Sequence, residues 1–158
     1  MTATPVRRPR LEEVAERAGV SRASLYQHFG SRVGLVDAMC ETFAQNPALV
    51  ALRQTDDVDA WIEDVVEFWA SEEQVLVQLY GAAAVDPAAA ALVERQWRDR
   101  HGELKLLLRR LGNEDRAAFA ALAVLTSFET FQELRRRAGL SKRDVVATLQ
   151  EGARRLLR

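Results

Sequence analysis

Between Arg10 and Phe29 the chain leaves few ways to fold. Leu11, Val14, Ala15 and Ala18 recur at spacings of three and four, which lines them along one face of a helix. Gly19 stops that helix, and Ser21 is a good cap for a second one running to about His28. Two short helices that cross steeply need a small residue where they touch, and Ala15 supplies it. They also need a residue tolerant of positive φ at the turn, and Gly19 follows four positions later. Val14, Ala18, Val20 and Leu25 are then expected to fill the wedge between them. With that face buried, Ser21, Arg22, Ala23, Tyr26 and Gln27 point outward, the arrangement that lays a helix in the major groove of DNA. The same spacing also fits an ordinary helical hairpin whose glycine merely ends a helix.

The rest of the chain reads as helix after helix. Pro5 and Pro9 make the first residues extended or loose. Gly30-Ser31 is a break and a fresh cap, followed by an apolar stripe of Leu35, Val36, Met39, Cys40 and Phe43 that ends before Asn46-Pro47. Asp56, Asp57 and Asp59 suit a helix N-terminus; beyond them Ile62, Val65, Val66 and Trp69 mark one helix, and Val75, Leu76, Leu79 and Tyr80 a shorter one. Asp86-Pro87 is a cap with proline at the first helical position. It opens a long helix carrying Val93, Trp97, Leu104, Leu108 and Leu111, closed by Gly112-Asn113. Residues 115–138 are expected to form a single helix closed by Gly139, and Ser141 to cap the last one. No segment alternates with a period of two and none repeats, so the fold class is all-α.

Charge is spread unevenly along this frame. The net charge is −1, but six Arg against three Glu up to Arg32 give that segment +3 and the remainder −4. A basic head on an acidic body suits contact with a polyanion at one end only. Cys40 is the single cysteine, which excludes an internal disulfide and a cysteine-based zinc cage, and no metal or cofactor is expected. No apolar run approaches the roughly 20 residues that span a bilayer, and no signal core follows the first basic residues, so a reducing cytoplasm is the expected location. Two histidines, one cysteine and no glycine-rich phosphate loop leave nothing to carry enzyme chemistry.

The stretch Val14-Ala-Glu-Arg-Ala-Gly-Val-Ser-Arg-Ala-Ser-Leu-Tyr-Gln-His-Phe29, followed by Gly-Ser-Arg-Val-Gly-Leu35, resembles the signature of the TetR family of one-component transcriptional regulators. The resemblance implies a helix-turn-helix DNA-binding domain over residues 1–45, with its motif at 10–29, and an all-helical effector-binding and dimerisation domain over 46–158. It makes Tyr26 and His28 an aromatic–imidazole pair on the recognition helix, Tyr26 touching a phosphate or a thymine methyl and His28 half in the core. Arg32 stands where the family usually has Lys, gripping a phosphate together with a helix N-terminus. Arg22 and Gln27 are the candidates for base readout, since Arg reads guanine and Gln reads adenine bidentately. Ser21 and Ser24 serve as cap and phosphate contacts, and Arg10 and Ala23 complete the candidate surface. One departure stands out: the family places a further helix before this motif, whereas here a short stretch with two prolines precedes Arg10. The chain as written is therefore expected to grip an operator weakly. The alternative is a helical ligand- or protein-binding dimer that has lost DNA binding with that helix.

For the body, the resemblance favours pairing through the last two helices, with Leu125, Phe128 and Phe131 on one and Val145, Leu149, Ala153 and Leu156 on the other. The same stripes can also pack within one chain. A homodimer would meet a palindromic double-stranded operator and act as a ligand-responsive regulator, most simply a repressor. Trp69, Tyr80, Trp97, His101 and Phe128 are the candidate walls of a pocket for a small apolar effector, though Trp69, Trp97 and His101 equally fit a packed core.

Overall fold

A computed structural model describes residues 11–158, except for the side chains of Leu11, Glu12, Glu13, Val14, Arg32, Val33, Val36, Cys40 and Phe43. The expectations for the stretch before residue 11, Arg10 included, therefore lie outside the described residues. The order of elements is α1 (Leu11–Ala18), α2 (Arg22–Phe29), α3 (Arg32–Ala44), α4 (Pro47–Leu52), α5 (Val58–Ser71), α6 (Glu73–Ala83), α7 (Pro87–Arg110), α8 (Arg116–Leu125), α9 (Phe128–Gln132), a π-helical turn (Glu133–Arg137) and α10 (Lys142–Leu156). No strand occurs among the described residues, and the fold is all-α as expected.

The chain divides into two compact units. Among the described residues, one takes 11–44 together with Gln74–Trp97; the other takes Gln45–Glu73 and Arg98–Arg158. The second unit is built on α5, which packs against α4, α9 and α10. Its Trp61, Ile62, Val65, Val66, Phe68 and Trp69 are all buried, a broad apolar face as a central helix requires. Ala48 and Leu52 of α4 and Val145, Leu149 and Ala153 of α10 are buried too. At about 1.5–3 kcal/mol for each large apolar side chain removed from water, this cluster is the main stabilising term of the unit.

Helix boundaries follow local cap chemistry. The side chains of Asp57, Asp86, Asp115 and Ser141 accept from the amides of Asp59 (2.7 Å), Ala88 (3.0 Å), Ala117 (2.9 Å) and Asp144 (3.2 Å), each filling a free donor of a helix start. The sequence reading passes over α4. Asn46 accepts from the Ala48 amide at 3.0 Å with Pro47 at the first helical position, and its own amide donates to Glu72 at 2.9 Å.

The expected single helix over 115–138 is a correction. It stops at Leu125, and Ser127 caps α9 by accepting from the Thr130 amide at 3.1 Å. The break is held by side chains from other helices. Arg100 donates to Thr126 Oγ1 at 2.9 Å and to the Ala123 carbonyl at 3.1 Å, and Trp69 Nε1–H donates to the Thr126 carbonyl at 3.1 Å. Thr126 Oγ1–H in turn donates to the Leu122 carbonyl at 2.8 Å. Carbonyls that a continuous helix would use internally thus find partners outside it.

Arg100→Leu would leave those acceptors without their charged donor, so we expect it to lower unfolding free energy by about 1–3 kcal/mol. The same change at exposed Arg98 should stay within about 0.5 kcal/mol. Urea denaturation of the two variants measures the difference.

Candidate nucleic-acid interface

The turn between α1 and α2 is built from backbone bonds that only a positive-φ residue permits. Gly19 has φ of +67°; its amide donates to the Glu16 carbonyl at 3.1 Å, and the Val20 amide donates to the Ala15 carbonyl at 3.0 Å. This pair of bonds closes a helix end and sends the chain off at an angle. Ser21 then caps α2, its Oγ accepting from the Ser24 amide at 3.0 Å and lying 2.9 Å from the Ser24 hydroxyl. Ala15 and Leu25 are buried as expected. Ala18 and Val20 are exposed, Val20 at 44%, which corrects their expected place in the wedge. They flank the glycine on the outside of the turn, where Val20 contributes its amide and not its side chain. Val14 lies outside the described side chains.

With Leu25 turned inward, Ser21, Arg22, Ala23, Ser24, Tyr26, Gln27 and His28 are all exposed and share the outer surface of α2. The Arg22 guanidinium lies over the Tyr26 ring, 5.4 Å from its centroid, within cation–π range. His28 is exposed, with its ring edge-on to Phe29 at 6.1 Å. The expectation that it is half core does not hold, because Leu25 and half-buried Phe29 already supply the inward contacts. No acidic residue occurs between Ser21 and Asp37, so a phosphate approaching this edge meets no like charge along that stretch. Arg32 begins α3, but its side chain is not among those described.

The sequence reading missed the close contact that seats α3 against α2. Ser31 Oγ accepts from the Gly34 amide at 3.1 Å. This places Gly34 so near Phe29 that a methyl group there would be driven into the Phe29 carbonyl oxygen. The signal was present in the sequence as a glycine inside an apolar helix. A second feature missed is the ion pair between Asp37 of α3 and Arg95 of α7, at 3.1 Å within the first unit.

The other candidate residues fall in several places. Trp69 and Phe128 are buried together in the second unit with ring centroids 5.5 Å apart. His101 in the same unit is half-buried, edge-on to Phe119 at 5.5 Å, with Nε2 at 3.3 Å from Arg100 Nη2. Burial, with the Arg100 charge behind it, pushes the His101 pKa down to about 4. Tyr80 is half-buried in the first unit, and Trp97 in that unit is 49% exposed, which excludes core packing for it. The inward line of α7 runs through Ala89, Leu92, Gln96, Arg100, Leu104 and Leu108, one position away from Trp97.

Of the residues expected at a seam between two chains, Phe128, Phe131, Val145, Leu149 and Ala153 are buried inside the single chain. Their apolar faces are satisfied by packing within it. Leu125 is half-buried, its methyls close against Gly152, and Leu156 is 42% exposed. Val124, 69% exposed, is a further apolar side chain on the same helices. Among the described residues there is no group of His, Cys, Asp and Glu that could hold a metal ion, and no helix long and apolar enough to cross a membrane.

A capped, outward-facing second helix after a glycine turn is the geometry of a helix-turn-helix reader. Residues 7–39 match the family model described as "Bacterial regulatory proteins, tetR family". Over this segment the chain is similar to the helix-turn-helix transcriptional regulators of the TetR family. Among curated proteins and among solved structures, nothing matches the chain.

Two outcomes follow from this geometry. Gly34→Ala should cost at least about 1–3 kcal/mol, the range for overpacking, and should loosen the α2–α3 junction, read by thermal denaturation and amide exchange of residues 21–35. His101 stays neutral in the folded chain down to about pH 4, whereas the unfolded chain takes up that proton near pH 6.5. The unfolded state therefore binds more protons in this window, and stability should fall as pH drops from 6.5 towards 4. His101→Gln should remove that part of the slope.

Proposed function

We propose that this chain is a ligand-responsive repressor that binds a palindromic DNA operator as a homodimer in the cytoplasm. The observation that carries the reading is the exposed, acid-free edge of α2, held outward by the Gly19 turn and the burial of Ala15 and Leu25. In this reading Arg22 and Gln27 reach base edges in the major groove, and the exposed methyl of Ala23 meets a thymine methyl. Ser21, Ser24, Tyr26 and His28, with Arg10 and Arg32, fix the register on phosphates.

The second unit and α7 would carry sensing and pairing. A small, mainly apolar effector near Trp69, His101 and Phe128 of the second unit would prefer one of two arrangements of that unit and shift the population towards it. The Arg95–Asp37 pair supports a route by which α7 acts on α3 and hence on the reader. Two copies would meet through the outer faces of α8 and α10, where Val124, Leu125 and Leu156 retain exposed apolar atoms.

The test is binding of the whole chain to DNA upstream of its own gene, followed by fluorescence anisotropy across salt. Affinity should fall steeply as salt rises, with log K changing by about −0.9 per log salt for each phosphate neutralised. Arg22→Ala and Gln27→Ala should each cost about 1–3 kcal/mol on the operator and much less on unrelated duplex. Equal losses on both duplexes, or binding indifferent to salt, would contradict the reading.

A further inference from the structure

Arg22 opens α2 and Tyr26 stands one turn later, and the guanidinium of the first lies 5.4 Å from the ring centroid of the second. Both are exposed. The Ser24 hydroxyl is engaged with Ser21 Oγ at 2.9 Å. A long, flexible arginine reads guanine only when its planar fork lies in the plane of N7 and O6. A ring beneath the fork restricts it before any duplex arrives.

We propose that Tyr26 is a positioning residue for Arg22: its ring holds the guanidinium for bidentate contact with a guanine, so that base discrimination belongs to the pair and not to Arg22 alone. This rests on the DNA-reading function proposed above. It assigns the aromatic ring, and not the hydroxyl, the decisive part in specificity. A tyrosine that only touched phosphate through its hydroxyl would affect all duplexes alike.

The experiment uses the full chain. Duplexes are enriched from a random pool at low ionic strength, where weak binding is still captured. Binding is then measured to the enriched duplex and to a copy in which 7-deazaguanine removes the N7 acceptor. The unsubstituted chain and Tyr26→Phe should bind the altered copy about fivefold or more weakly, whereas Tyr26→Ala and Arg22→Ala should bind the two copies within about twofold of each other. Circular dichroism of each variant checks that exposed positions 22 and 26 have been changed without loss of helix. The pairing is overturned if Tyr26→Ala keeps the full penalty, or if Tyr26→Phe loses it. It is overturned as well if the unsubstituted chain shows no penalty. Enrichment of no sequence at all would overturn the reader itself, an outcome distinct from these.

Discussion

The reader depends on one backbone event, the positive φ of Gly19. Two hydrogen bonds form around it, Gly19 to Glu16 and Val20 to Ala15, and they end α1 while directing the chain into α2. A residue with a Cβ resists that conformation, so the angle between the helices and the choice of inward residue both follow from this position. Once Leu25 is turned inward against α1, the helical period leaves Ser21, Arg22, Tyr26 and Gln27 no place but the outside. The Gly34–Phe29 contact then does for the α2–α3 junction what Gly19 does for α1–α2, by permitting an approach that a side chain would block.

The second unit works by different means. Its order comes from burial on α5 and from polar side chains that close irregular backbone. The Trp69, Thr126 and Arg100 bonds gather three separate segments at the α8–α9 break. Beyond α9 the chain relaxes into a π-helical turn whose arginines are partnered: Arg135 with the Leu140 carbonyl, Arg136 with Glu73 and Arg137 with Glu133. His101 sits beside this cluster, where burial and the Arg100 charge hold its pKa well below the ordinary histidine value.

What the sequence made legible was mostly local. Gly19, Gly112 and Gly139 end helices with positive φ, and Ser21, Ser31, Asp86 and Ser141 cap them, since such residues act through bonds to their own neighbourhood. The outward edge of α2 was legible for the same reason. Long-range consequences were not. The apolar period runs unbroken through Thr126-Ser127, so the break is invisible until Arg100 and Trp69 arrive from elsewhere. The inward line of α7 passes through polar Gln96 and Arg100, and a reading keyed to apolar residues chose Trp97 instead. The stripe of Phe131, Val145 and Leu149 was real, but periodicity identifies a buried face without saying whether the same chain or another copy buries it.

A DNA-reading role requires that the outer surface of α2 be what meets a duplex. Heteronuclear NMR of the whole chain, titrated with a duplex carrying its operator, addresses this directly. Amide shifts and line broadening should concentrate on residues 21–28 and the start of α3, and should reverse as salt is added. Perturbation confined to residues beyond 45, with 21–28 unmoved, would contradict it.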